Sequence, residues 1–307
     1  PYILSMGPEE TATRRLNFAQ AFNPLGSLTG MFVARQFILA RLDPADESTR
    51  RAMAETDPES FAALQQSDLG VIIGPYLILG VVVVAIMVAF MFARLPNTRG
   101  EEEHDIRAID TLRRLLGNAR YMQGVVAQAF YVGAQIMCWT FIIHYGEYEL
   151  GMTKADAQTW NIAAMVIFVS SRFVCTYLLK FVDAGRLLMV LALAGAGCIA
   201  CTVFVGGRAG LFSLVATSAC MSLMFPTIYG IALRGLGTDA KLGAAGLIMA
   251  IGGGFLLPPL QGRIMDMDAF DLGFVTLSST RASFALSFVC FVVIAAYGLR
   301  SMKRRSA

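Results

Sequence analysis

Three long apolar runs without a single charge constrain the fold of this chain more than any other feature. They cover residues 71–93, 187–207 and 209–233. A helix of about 20 apolar residues crosses the hydrocarbon core of a bilayer, and backbone groups in lipid must be hydrogen-bonded within the segment. Charged residues make up 15% of the chain, below the ~25% of an average soluble domain. The sequence therefore predicts an all-α membrane protein with several spans.

Eight segments are predicted to cross the membrane. They are residues 16–40, 70–93, 121–146, 157–180, 187–206, 209–233, 242–263 and 282–300. Residues 1–7 resemble the end of an earlier helix, because the chain begins at Pro1 in mid-pattern, so we expect an N-terminal part to be missing. We predict three regions: a partial N-terminal bundle at 1–93, a polar linker at 94–120 and a six-helix bundle at 121–307.

The connecting segments differ in charge between the two sides of the membrane. Segments on one side hold 16 Lys and Arg against 9 Asp and Glu, and those on the other side hold 7 against 13. Cytoplasmic loops carry an excess of Lys and Arg, so we predict that the first side, which includes the C-terminus, is cytoplasmic. The basic residues are not gathered on one soluble face, so nucleic acid is not an expected partner. The apolar spans make a lipid bilayer the expected surrounding.

Polar side chains interrupt the helix predicted at 16–40. Gln20 and Asn23 lie three residues apart and would share a face of a continuous helix, while Pro24 and Gly26 can loosen the helix there. Amides in a bilayer need partners, and they mark either a substrate path or a hydrogen bond between helices. We predict that Gln20 and Asn23 line a substrate cavity, with a role in helix packing as the alternative.

The helix predicted at 121–146 carries a polar and aromatic stripe. Gln128, Tyr131 and Gln135 follow an i, i+3, i+7 pattern, and Trp139 lies one turn further on. Amides can donate to and accept from hydroxyl groups, and aromatic rings can cover the C–H face of a pyranose. A purely structural packing stripe would be less polar, so we predict that these four residues bind a sugar.

Two arginines lie inside predicted spans. Arg35 is near the outer end of its helix, where its side chain can snorkel to the interface. Arg172 lies about two turns from the cytoplasmic end. It can snorkel or belong to a gating network, and the sequence leaves both open.

Proline and glycine in two later spans indicate bending. Pro226 in mid-span frees a carbonyl and permits a bend, and the span predicted at 242–263 contains further helix-loosening residues. These are Gly252, Gly253, Gly254 and Pro258. Small residues also allow helices to approach closely, so the glycines can serve packing, gating or both.

No motif in the chain points to catalysis. The two histidines are His104, in a predicted loop, and His144, at a helix end, and the predicted spans contain no Asp or Glu. The sequence contains no H-E-x-x-H, G-x-S-x-G or P-loop motif. We expect neither an enzyme nor a bound metal or cofactor, and a non-transporting membrane sensor is a less favoured alternative.

Five stretches resemble the fucose–proton symporter family of the major facilitator superfamily, and its L-fucose branch most. They are PYILSMGPEETATRRLNFAQAFNPLGS at 1–27, AQAFYVGAQIMCWTFIIHY at 127–145, SRF at 171–173, MFPTIYGIALRGLGTDAKLGAAG at 224–246 and IGGGFLLPPLQG at 251–262. The resemblance implies twelve helices in two six-helix halves, of which this chain would hold the tail of helix 4 through helix 12. Ser171 and Arg35 depart from the family pattern.

The resemblance also implies a function. It implies L-fucose uptake by proton symport across the bacterial inner membrane, with alternating access and one central sugar site. Glucose, galactose or another hexose is the alternative substrate. Protons would be the coupling ion, and the family's coupling carboxylates would precede Pro1. We expect a monomer.

Overall fold

The computed structural model describes residues 8–33, 37–38, 41–42, 47–92, 108–271 and 276–303. Four sequence predictions fall on residues outside these ranges. They concern the helix tail at 1–7, Arg35, the first part of the linker at 94–107, and the basic C-terminal residues beyond 303.

The described residues form a protein built almost entirely of α-helices. The helices are α1 (Glu9–Gln20), α2 (Asn23–Val33), α3 (Glu47–Thr56), α4 (Pro58–Phe92), α5 (Ala108–Gly117), α6 (Ala119–Leu150), α7 (Lys154–Leu178), α8 (Ala184–Phe204), α9 (Gly207–Met221), α10 (Met224–Leu233), α11 (Ala240–Met249), α12 (Gly253–Met265), α13 (Ser279–Ser283) and α14 (Ala285–Lys303). Short 3₁₀ turns occupy Gly237–Asp239 and Ala250–Gly252, and β1 (Phe270–Asp271) pairs antiparallel with β2 (Thr276–Leu277).

Seven helical segments of the described chain are long and apolar enough to cross a membrane. They cover Pro58–Phe92, Ala119–Leu150, Asp156–Leu178, Ala184–Phe204, Gly207–Leu233, Gly237–Met265 and Ser279–Met302. Each overlaps one of the predicted spans from 70–93 to 282–300. The all-α membrane fold is therefore confirmed, and seven of the eight predicted spans are found.

The continuous helix predicted at 16–40 is wrong. Helix α1 ends at Gln20, a turn follows at residues 21–22, and α2 begins at Asn23. Pro24 explains the break, because proline lacks an N–H and its ring collides with the carbonyl four residues earlier. It fits in the first turn of α2, where backbone N–H groups have no helical acceptor.

The chain divides into two compact units. One unit is formed by residues 25–99 and contains α3, α4 and most of α2. Within it, the Asp57 carboxylate accepts a hydrogen bond from the Ser60 backbone N–H (3.1 Å) at the start of α4. Hydrogen bonds from the Ser60 side chain and backbone lower the pKa of Asp57. Arg50 and Asp68 form an ion pair at 2.8 Å that ties α3 to α4.

The other unit contains residues 1–24 and 100–307, with α6 at its centre. Helix α6 contacts α7, α9, α10, α12 and α14, and its buried residues form the main core with those of α8, α9 and α14. Burial of large side chains such as Tyr131, Met137 and Phe291 fixes α6 within this bundle. Residues of α6 are therefore held in defined positions relative to these five neighbouring helices.

Close contacts at glycine set the packing of α6 against α10 and α12. A Cβ at Gly124 would lie 3.5 Å from the Ala232 Cα and would overlap its side chain. A Cβ at Gly253 would overlap the carbonyl oxygen of Ala129 and would lie 2.6 Å from its carbonyl carbon. The approach at Gly253 is between backbones, so side-chain rotation cannot relieve a clash there.

Helix α5, in the second half of the predicted linker, docks on the connection between α10 and α11. The Arg114 guanidinium donates to both carboxylate oxygens of Asp239, at 2.6 and 3.0 Å. These hydrogen bonds raise the pKa of Arg114. Leu115 of α5 is buried with Leu16 of α1 in a second apolar cluster, so α5 is packed against the bundle.

Candidate functional site

Two helix breaks of the same length are each followed by a proline. The turn between α1 and α2 precedes Pro24, and the turn between α9 and α10 precedes Pro226. Proline cannot donate a hydrogen bond to the carbonyl four residues before it. The carbonyls that lose a helical donor in this way are those of Gln20 and Ser222, which we call the proline-freed carbonyls.

Arg172 of α7 donates hydrogen bonds to both proline-freed carbonyls. Its Nε lies 2.7 Å from the Ser222 oxygen, and one of its terminal nitrogens lies 2.8 Å from the Gln20 oxygen. The arginine is 4% exposed, which argues against snorkelling. The guanidinium therefore joins the end of α1 to the end of α9.

Helix termini account for the position of this buried cation. The last carbonyls of a helix carry partial negative charge and attract cations. Among the described residues, no Asp or Glu forms an ion pair with Arg172. The two helix ends are thus the electrostatic partners of Arg172.

An aromatic contact path leads from Arg172 to Trp139. The Arg172 guanidinium carbon lies 4.7 Å from the centre of the Phe168 ring, and the Phe168 ring lies edge-on to Trp139 with centroids 4.9 Å apart at 84°. The Trp139 indole N–H donates to the Ser218 hydroxyl at 3.2 Å. Two neighbouring helices therefore hold the indole in place.

The predicted sugar-binding stripe lies on α6. Gln128 is fully buried, and in the described part of the chain neither atom of its amide group has a hydrogen-bond partner. Tyr131 is also fully buried and donates its hydroxyl to the Met221 carbonyl at 3.1 Å. Gln135 and Trp139 are half-buried. The stripe thus combines a fixed tyrosine with amides that can receive new partners.

The two residues predicted on the first helix are placed differently from each other. Gln20 is the last residue of α1 and is half-buried, while Asn23 is exposed at the first position of α2. Because the helix is broken between them, the i, i+3 argument for a shared face does not apply. The structure brings the Gln20 backbone to Arg172, and through Phe168 to Trp139.

The predicted flexing residues of the later spans surround short irregular segments. Gly252 closes the 3₁₀ turn between α11 and α12, whereas Gly253 and Gly254 begin α12. A Cβ at Gly252 would contact nothing within 4 Å, in contrast to one at Gly253. Pro258 lies inside α12. Gly253 and Gly254 are therefore closely packed against α6, whereas there is room for a side chain at Gly252.

Sequence reasoning missed Phe168, Ser218 and Asn161. Asn161 of α7 donates to the Trp139 carbonyl at 3.1 Å, and Ser218 and Phe168 contact the indole. A phenylalanine in an apolar run carries no signal in one sequence, and a lone serine in a span is common. The fully buried Asn17 was missed as well; its amide nitrogen lies 3.4 Å from the Thr227 hydroxyl.

Relatives of the chain are transporters. An L-fucose-proton symporter of Haemophilus influenzae is 49% identical over 305 residues, which is 99% of this chain and 70% of that protein. The Escherichia coli L-fucose-proton symporter is 30% identical over 87% of this chain and 61% of its own length. A glucose/galactose transporter of Brucella abortus is 27% identical over 99% of this chain. No protein-family model matches the sequence.

A solved structure has the same fold. The crystal structure of FucP, a major facilitator superfamily transporter in the outward conformation, matches with a TM-score of 0.83 and 28% identity. The match covers 98% of this chain and 71% of that one. Together with the identity to the Haemophilus protein, these findings show that the chain belongs to the L-fucose-proton symporter family of the major facilitator superfamily.

Proposed function

We propose that the complete gene product carries out L-fucose–proton symport by alternating access in the bacterial inner membrane, and that this chain supplies sugar-contacting residues. The observation that carries the proposal is the amide and aromatic stripe of α6, found in a chain that is 49% identical to an L-fucose-proton symporter. Members of this family are transporters, and the chain is accordingly a transporter and not an enzyme. Protons are the proposed coupling ion.

The proposed sugar site lies between residues 20–23 and α6. Gln20 and Asn23 would contact the sugar from one side, and Gln128, Tyr131, Gln135 and Trp139 from the other. Amides supply both donors and acceptors for sugar hydroxyls, and the indole face covers C–H groups. Pro24, Pro226, the glycines at 252–254 and Pro258 would supply the helix bending that alternating access requires, with Arg172 as a gating residue.

Sidedness and organisation follow from the charge distribution. The loops rich in Lys and Arg, together with the C-terminus, would face the cytoplasm. Residues 1–93 would belong to the N-terminal bundle, 94–120 to the linker and 121–307 to the C-terminal six-helix bundle. We propose a monomer, because the family resemblance implies one central sugar site in each copy of the protein.

Replacing Gln135 with alanine is expected to weaken L-fucose binding about tenfold. The loss of one or two hydrogen bonds to hydroxyl groups accounts for an effect of this size. Isothermal titration calorimetry on the purified complete gene product gives the affinity, with D-glucose and D-galactose as competitors. The amide of Gln135 contacts no hydrogen-bond partner among the described residues, so its removal leaves nothing else unpaired.

Gln123 provides the matched control for this substitution. It lies on the same helix and is also half-buried, but it is outside the proposed site, so Gln123→Ala should bind L-fucose normally. Unchanged binding by Gln135→Ala would remove Gln135 from the site. Tighter binding of glucose or galactose than of fucose would favour the hexose alternative.

A further inference from the structure

Arg172 and the two prolines form one arrangement although they are far apart in the sequence. Pro24 deprives the Gln20 carbonyl of its helical donor, and Pro226 does the same to Ser222. Arg172 donates to both carbonyls, at 2.8 and 2.7 Å. A buried carbonyl without a donor is unfavourable, so the arginine stabilises both breaks at once.

Planar guanidinium geometry suits this task. Arginine presents several N–H donors in a fixed fork, whereas a lysine ammonium is a compact point charge. The Nε and one terminal nitrogen of Arg172 point to different helices, α9 and α1. The relative position of the two helix ends is therefore tied to the orientation of a single side chain.

The same side chain also restrains the proposed sugar site. Phe168 lies under the Arg172 guanidinium at 4.7 Å and edge-on to Trp139 at 4.9 Å. Displacement of the guanidinium would free the Phe168 ring on one side, and the indole would lose a restraint on its tilt. The path from the Gln20 carbonyl to Trp139 is thus made of contacts seen in the structure.

We propose that Arg172 is a positioning residue for the sugar site, which holds the two proline breaks together and, through Phe168, sets the orientation of Trp139. The proposal rests on the proposed function, because it assumes that Trp139 contacts the sugar. The arginine itself does not contact the sugar. It keeps the side chains that do so in a binding geometry.

The first test reads the state of Trp139 directly. The chain has two tryptophans, so Trp160→Phe in the complete gene product leaves Trp139 as the fluorescent group of this region. Arg172→Gln and Phe168→Leu should each shift Trp139 emission in the sugar-free protein and weaken L-fucose binding about tenfold. Phe168→Tyr keeps the aromatic ring, so its Trp139 emission and its L-fucose affinity should match those of the parent protein.

Phe212 supplies the matched control for the first test. It makes a similar edge-on contact, at 5.2 Å and 84°, with Trp160. Phe212→Leu should leave Trp139 emission and fucose binding unchanged. Normal emission and normal affinity in Arg172→Gln would overturn the proposal. If Trp139→Phe itself left fucose affinity unchanged, the proposed sugar site would fail instead, whatever Arg172 does.

The second test is a double-mutant cycle on thermal unfolding, which remains informative if Arg172→Gln folds poorly. Alanine at positions 24 and 226 supplies N–H donors for the proline-freed carbonyls. The decrease in unfolding temperature caused by Arg172→Gln should therefore be smaller in the Pro24→Ala, Pro226→Ala background. Pro75→Ala, in the middle of α4, should give no such relief. Equal decreases in all backgrounds would contradict the proposed link between Arg172 and the two prolines.

Discussion

Replacing Gln128 with leucine is expected to stabilise the sugar-free protein while reducing its affinity for L-fucose more than tenfold. Gln128 is fully buried, and within the described structure both atoms of its amide lack partners. An unpaired buried polar group costs about 1–3 kcal/mol, and leucine of similar size removes that cost. Sugar hydroxyls that pair with the amide in the wild type would lose these hydrogen bonds.

Two measurements on the Gln128→Leu variant distinguish a sugar-binding role of Gln128 from a role in helix packing. Differential scanning fluorimetry should show a higher unfolding temperature without sugar, and titration calorimetry should show weaker binding. Gln123→Leu is the control, because Gln123 is half-buried outside the proposed site. If Gln128→Leu lowered the unfolding temperature and left fucose affinity unchanged, the amide would be a packing group between helices and not part of the sugar site.

Replacing Gly253 with alanine is expected to destabilise the bundle by about 3 kcal/mol, at the upper end of the range for overpacking. The added Cβ would overlap the Ala129 carbonyl and would lie 2.8 Å from the Ala129 Cα. Because these are backbone atoms, α12 must move away from α6. Displacement of α12 should also reduce fucose uptake, since α6 carries the proposed sugar-binding stripe.

Gly252→Ala tests whether the loss of stability expected for Gly253→Ala comes from the close contact at position 253 or from any replacement of glycine by alanine in this segment. Gly252 is adjacent in sequence, but a Cβ there would meet nothing within 4 Å. Thermal unfolding in detergent should therefore be nearly unchanged for Gly252→Ala and clearly lowered for Gly253→Ala. Equal stability of the two variants would contradict the close approach of α12 to α6.

Hydropathy and charge were enough to predict most of the fold. Seven of the eight predicted spans are helices in the structure, because a segment in lipid has few alternatives to helix. The remaining span failed at residues 21–22, although Pro24 had been noted as a site of loosening. The apolar composition indicated a span at 16–40, but it did not show whether Pro24 would bend the helix or break it.

Contacts between distant residues could not be predicted. The position of Arg172 inside a span was evident, but its acceptors are Gln20 and Ser222, which are 152 and 50 residues away. Likewise the hydroxyl of Tyr131 is occupied by the Met221 carbonyl, which depends on how α9 packs against α6. Periodicity shows which residues share a helix face, and tertiary packing decides what that face meets.

Uptake of labelled L-fucose into proteoliposomes, with and without an imposed pH gradient, tests the central claim most directly. The complete gene product should accumulate fucose against its gradient when the outside is more acidic than the inside, and a protonophore should abolish the accumulation. Excess unlabelled fucose should compete, and glucose and galactose should compete weakly. Fucose uptake that only equilibrates, at a rate independent of the pH gradient and of the protonophore, would contradict proton-coupled fucose transport.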